Sequence, residues 1–117
     1  MINDVKISTI EGQAEILSII IRGSLDTMLA YHLKEDVEKK IQQGHLKFLV
    51  NLKDLEYISS AGVGVFSALI LHLKKQDGRI IFVSVPESVH DVLHLTRLIE
   101  IFTIVETDEQ AIQYLNL

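Results

Sequence analysis

The chain contains no cysteine, which excludes disulfides and thiol chemistry and suits a reducing cytosol. It has one proline, Pro86, and no stretch that reads as a linker or tail. Basic residues are scattered. The longest cluster is Lys74-Lys75 and the formal net charge is -5, which disfavours a nucleic-acid partner, because phosphate backbones select a clustered basic face. The longest near-apolar run, residues 63–71, is too short to span a bilayer, so direct membrane insertion is not expected. Met1-Ile2-Asn3-Asp4-Val5-Lys6 places an amide and an acid where an export signal needs apolar residues, so the expected compartment is the cytoplasm. Internal repeats and low-complexity tracts are also missing. What is there, 117 residues with 48% apolar content, fits one compact domain over 1–117 with a proper core and no room for a second.

Periodicity then orders the chain. Alternation over 5–10 predicts a strand, Glu11-Gly12-Gln13 a turn, and 14–22 a second strand. Within the latter, Ile16-Leu17-Ser18-Ile19-Ile20-Ile21 is apolar on both faces, as in a central strand covered on both sides, and Gly23-Ser24-Leu25-Asp26 ends it. Over 27–43, Leu29, Leu33, Val37 and Ile41 fall at four-residue steps, an amphipathic helix closed by Gly44. Strands follow at 46–52 and 79–85. Between them runs a helix from Ser60 to about Gln76, with Gly78 as its left-handed cap. Pro86 reads as the first position of a short helix with Val89, Val92 and Leu93 facing in, and 98–105 contains a last short strand. Thr107-Asp108-Glu109-Gln110 forms a capping box for a final helix burying Ala111, Ile112 and Leu115.

This order is α/β: a hairpin feeding right-handed crossover units, with helices packed against a mixed, mostly parallel sheet of about five strands. The strands at 14–22 and 46–52, joined by the first helix, are expected to be parallel neighbours. Their carboxyl ends then share the sheet edge where α/β folds place their sites. Asp26 and Ser60 should meet there, with the turn over 84–88 nearby.

The chain is organised around Asp54-Leu55-Glu56-Tyr57-Ile58-Ser59-Ser60-Ala61-Gly62-Val63-Gly64-Val65-Phe66. Beyond it Phe66, Leu69, Ile70 and Leu73 recur at helical spacing, so Ser60 sits where that helix starts, and Gly62 and Gly64 each cost about 1 kcal/mol against alanine inside a helix. Such local rule-breaking is expected where something approaches the backbone. A nucleophilic serine would need a base and the Gly-x-Ser-x-Gly turn, but Ile58 stands where the first glycine should be and no histidine is placed near that edge. No catalytic residue is therefore expected. As plain structure Ser60 is an N-cap accepting a backbone N–H. As a site it is an exposed hydroxyl that another enzyme phosphorylates. The dianion would rest on free N–H groups at the positive end of the helix and bring negative charge close to Asp26.

Other candidates have plainer readings beside them. His90 and His94 are one turn apart, a spacing that can chelate zinc, but no third ligand is evident and solvent-facing helix histidines explain them; no metal or cofactor is expected. Asp26 can be simply the N-cap of the first helix, and Tyr31 and Tyr57 either interface anchors or half-buried surface. Gly62-x-Gly64 alone is too weak to mark a nucleotide site.

Three motifs carry a resemblance. They are Asp54-Leu55 followed by Ser59-Ser60-Ala61-Gly62-Val63-Gly64; Gly23-Ser24-Leu25-Asp26; and Leu93-His94-Leu95-Thr96 with Ile101-Phe102 and Glu106-Thr107-Asp108-Glu109-Gln110-Ala111. In this order the chain resembles the STAS family, the domain shared by sulfate transporters and bacterial anti-sigma factor antagonists, and it looks like a stand-alone antagonist. The resemblance implies a partner switch. The unphosphorylated protein would bind an anti-sigma factor that is itself a serine kinase of the histidine-kinase-like ATPase fold. Phosphorylation would break the complex, and a PP2C-type phosphatase would reset it. The family's phosphorylated serine falls on Ser60; Ser59 stands where many antagonists have Asp and is the competing acceptor. Asp26, Ser59, Ala61, Gly62 and Gly64 are the residues expected at the partner surface. The other reading within the family is a regulatory subunit of a membrane transporter or signalling scaffold that is not phosphorylated.

Overall fold

Alternating and four-step apolar patterns resolve into six strands and four helices in the computed structural model, which describes residues 3–117. Met1 and Ile2, the first part of the stretch weighed as an export signal, lie outside the described residues. In chain order the elements are β1 (Asp4–Ile10), β2 (Gln13–Leu25), α1 (Thr27–Gln42), β3 (Lys47–Asn51), β4 (Leu55–Ile58), α2 (Ser60–Lys74), β5 (Arg79–Val83), α3 (Glu87–Leu95), β6 (Ile104–Val105) and α4 (Asp108–Leu115). A single 3₁₀ turn, Leu98–Glu100, lies between α3 and β6. The sheet runs β1-β2-β3-β5-β6; β1 is antiparallel to β2, every other pairing is parallel, and β4 joins β2 off this path.

The pleat sorts β2 onto two faces. Leu17, Ile19 and Ile21 pack with Leu33 and Val37 of α1, Phe66 and Leu69 of α2 and Val89 and Leu93 of α3. Ile16 turns the other way and joins Leu49, Ile81 and Val83 beneath Ala111 and Leu115 of α4. The two-sided cover read from the sequence therefore holds at Ile16 and relaxes to half-burial at Ser18 and Ile20, because one short helix has to cover that whole face. Phe66 meets Phe82 edge-on at 5.1 Å, and Phe102 lies 4.7 Å from Phe82, which fastens α2 to β5 and to the segment before β6.

Four details differ from the sequence reading. Residues 55–58, taken as a turn, form β4, because Gly23 to Leu25 of β2 extend beyond β3 and offer an unpaired edge. The left-handed residue after α2 is Asp77, at φ 58°, not Gly78. Gly78 is a glycine for space: a Cβ there would lie 2.8 Å from Leu73 Cδ2 and 2.9 Å from the Leu46 carbonyl oxygen. Pro86 is the extended N-cap of α3, one residue outside it, with its carbonyl accepting from the Val89 and His90 N–H groups at 3.0 Å. β2 continues through Gly23 and Ser24 to Leu25, where the sequence reading ends it at Arg22; the short strand expected within 98–105 is Ile104–Val105. Gly44, at φ 98°, follows α1, and Thr107 and Gln110 form the capping box of α4.

Candidate functional site

Two helix starts are brought side by side by a strand exchange along β2. From Ile16 to Ile20 that strand pairs with β3; beyond, Gly23, Ser24 and Leu25 pair with Leu55, Tyr57 and Ile58 of β4. Leu25 and Ile58 are register partners, and the Ser59 N–H donates to the Leu25 carbonyl at 2.9 Å. The next residues, Asp26 and Ser59, are therefore neighbours, and each caps a helix. Asp26 Oδ1 accepts from the Leu29 N–H at 2.8 Å at the head of α1, and Ser59 Oγ accepts from the Gly62 N–H at 3.0 Å at the head of α2. Two positive helix ends thus open on the same sheet edge.

The cap of α2 is Ser59, not Ser60, one residue earlier than the sequence reading placed it. Ser59 has the extended backbone of an N-cap (φ -77°, ψ 163°) and only 9% of its surface is exposed. Ser60 is the first helical residue, and it is exposed. The adjacent hydroxyls are therefore unlike: one is buried and bonded to a backbone N–H, the other faces solvent. Ser60 and Ala61 also bring N–H groups that have no carbonyl partner one turn back, because the helix begins there.

The two glycines separate in the same way. Gly62 is buried, and a Cβ on it would stand 2.8 Å from Ile58 Cγ1 and 3.1 Å from Leu25 Cδ2. Its bareness lets the first turn of α2 sit against the paired ends of β2 and β4. Gly64 is exposed and a Cβ there would meet nothing within 4 Å, so packing does not ask for glycine at this position. With half-buried Ala61 it lines a shallow groove of about 190 Å³ between α1 and α2, beside Tyr31, Lys34 and Ala68.

Large apolar side chains surround the helix starts. Tyr31 is 54% exposed and Tyr57 58%, and Met28, in the first turn of α1, is 70% exposed. Sequence reasoning missed Met28; its place off the Leu29-Leu33-Val37-Ile41 stripe was the available signal. Behind Asp26, the turn is tied to β1: Asn3 Oδ1 accepts from the Ser24 N–H at 2.9 Å, and Arg22 grips Asp4 through Nε, at 2.8 Å, and Nη2. The hydrogen bonds from Arg22 hold the Asp4 carboxyl below its ordinary range, and those same bonds raise Arg22. The turn over 84–88, expected nearby, follows β5 at the same carboxyl edge, and Leu52 N–H reaches the Val83 carbonyl there at 2.9 Å. His90 and His94 stack on α3 with ring centroids 6.0 Å apart, and among the described residues no third histidine or carboxylate gathers with them into a metal-holding group.

Such a fold has known counterparts. The family model of the STAS domain matches residues 8–111, and the chain belongs to that family. Among curated proteins, the anti-sigma-B factor antagonist of Bacillus subtilis (strain 168) is 29% identical over 97 residues, which cover 83% of this chain and 88% of that one. The crystal structure of tm1081 from Thermotoga maritima superposes with a TM-score of 0.84 at 25% identity, covering 98% of this chain and 95% of that one. The anti-sigma factor antagonist SpoIIAA has the same fold. Its unphosphorylated form gives a TM-score of 0.79 at 20% identity, covering 97% of this chain and 98% of that one. Its phosphorylated form, described as a Bacillus cell fate determinant, gives 0.76 at 21%, covering 95% and 98%.

Proposed function

We propose that this protein is an anti-sigma factor antagonist that works in the cytoplasm as a partner switch, not as an enzyme. Its unphosphorylated form binds an anti-sigma factor that is a serine kinase of the histidine-kinase-like ATPase fold. That kinase phosphorylates Ser60 and is released, and a PP2C-type phosphatase restores the hydroxyl. The observation that carries this reading is the exposure of Ser60 as the first residue of α2 while neighbouring Ser59 is committed to the cap. A phosphate on Ser60 would stand at the positive end of α2, where the Ser60 and Ala61 N–H groups can receive it, so the fold tolerates the modification. The same dianion would add negative charge next to Asp26 on a surface bordered by Met28, Tyr31 and Tyr57, and so repel a partner that had docked on that apolar surface. Ala61 and Gly64 keep the approach to the hydroxyl low; Gly62 serves from below, by letting the helix mouth close onto β2 and β4. Among the described residues no helix is long and apolar enough to cross a membrane.

The test is intact mass after incubation with ATP and the partner kinase. One phosphate should be added to the wild type and to Ser59→Ala, and none to Ser60→Ala. Labelling that survives Ser60→Ala would move the acceptor to Ser59 or beyond.

A further inference from the structure

At the far end of α2, about 20 Å from Ser60 by the length of the helix, the sheet is left incomplete. Along β5 the odd-numbered residues bond toward β3, as the Arg79 N–H to the Leu46 carbonyl and the Leu52 N–H to the Val83 carbonyl establish. The even-numbered residues bond toward β6: the Phe82 N–H reaches the Thr103 carbonyl and the Ser84 N–H the Val105 carbonyl. Ile80 belongs to the second set, but β6 is only two residues long and pairs with Phe82 and Val83 alone. The Ile80 N–H and carbonyl therefore point at a gap in which no described backbone group pairs with them, at the position where a longer β6 would continue the ladder.

That gap opens into a cleft of about 480 Å³, a size typical of small-molecule sites. Ile70 and Ile101 give it apolar walls, and Lys74, Arg79 and Asp77 stand at its rim, two cations against one carboxylate. Arg79 is held in place: its Nη1 donates to the Tyr114 carbonyl at 2.8 Å, and its guanidinium lies over the Tyr114 ring at 5.4 Å from the centroid. A guanidinium has five N–H donors, so most of its donors remain for a ligand. We infer that this cleft binds a small carboxylate that also carries an amide, the carboxylate on Arg79 and Lys74, the amide completing the β5 edge at Ile80, and an apolar body between Ile70 and Ile101.

The test uses N-acetyl-L-leucine as the probe and amide-resolved NMR of the whole chain as the readout. Saturable shifts should centre on the Ile80, Gly78 and Thr103 amides and leave the Ser60 region unmoved. N-acetyl-L-leucinamide, which lacks the carboxylate, should bind about tenfold more weakly, and so should N-acetyl-L-leucine to Arg79→Gln. Lys74 is exposed on the last turn of α2, so Lys74→Gln leaves the fold intact and should weaken binding several-fold. Equal binding of the acid and the amide would overturn the inference, as would an absence of shifts at Ile80 up to about 10 mM probe. None of these outcomes bears on phosphorylation of Ser60.

Discussion

Replacing Gly62 and Gly64 one at a time by alanine should change stability in opposite directions, although the two lie two residues apart in the same helix. On propensity alone each change favours the helix by up to about 1 kcal/mol. At Gly62 the new Cβ would stand 2.8 Å from Ile58 Cγ1, with Leu25 Cδ2 at 3.1 Å and Leu25 Cγ at 3.3 Å. Carbon atoms settle at about 3.5–4.0 Å, so most of an ångström has to be recovered by lifting α2 or by twisting Ile58, which is itself buried. Overpacking of that kind costs about 1–3 kcal/mol, so Gly62→Ala should be a net loss of about 1–2 kcal/mol. Gly64→Ala meets open space and should gain about 0.5–1 kcal/mol. Urea unfolding of the two variants and wild type measures both, and by heat the pair should straddle the wild-type Tm by a few degrees each way. A double-mutant cycle assigns the cause: Ile58→Ala removes the nearest contact, so Gly62→Ala should cost less in that background. A Gly62→Ala protein as stable as Gly64→Ala would refute the close approach of α2 to β2 and β4. Gly64→Ala should also weaken partner binding while it stabilises the fold, because its Cβ projects from the exposed face next to Ser60.

Ser59→Ala leaves the buried Gly62 N–H without its acceptor and should cost about 1 kcal/mol in chemical denaturation, while phosphate incorporation on Ser60 persists. Ser60→Asp should lower affinity for the anti-sigma factor in calorimetry, by less than a phosphate does because it carries less charge; wild-type affinity would argue against charge as the switch. The Asp4 carboxyl titrates below its ordinary range because Arg22 bonds it, so the stability from this pair is present above the unfolded carboxylate pKa and is lost as pH falls through the lowered folded value. Arg22→Met should return the Asp4 titration upward in carboxyl-carbon NMR, and its stability difference from wild type should shrink on acidification. Thr107→Ala breaks the capping box of α4 and should cost about 1 kcal/mol, read as faster hydrogen exchange at Gln110 and Ala111.

Much of this molecule was legible from one dimension. Apolar periodicity marked β1, β2, α1, β3, α2 and β5, because a strand or helix must show its greasy face at a fixed spacing whatever it packs against. The capping box at Thr107 and the turn glycine at 44 were local chemistry and could be read directly. The parallel neighbours β2 and β3 followed from reading α1 as a right-handed crossover between them. The pairing of Asp26 with the start of α2 was anticipated as a meeting at one edge, but the element that makes it, β4, was not. Glu56 and Tyr57 point outward, leaving only Leu55 and Ile58 buried, too little alternation for a strand. Likewise the short β6 carried no period of its own.

The sequence by itself determined the α/β alternation, a helix opening at the two serines, and an acid placed to open another. Tertiary structure decided which serine caps and which is presented, which glycine is needed for space and which is free, and that β2 changes partners so that two helix mouths lie together. The physical reason is range. Caps, turns and periods are settled by residues within one turn of each other, whereas Gly62 is constrained by Leu25 and Ile58, and Ser59 is seated by the Leu25 carbonyl, contacts that exist only after distant parts of the chain have packed.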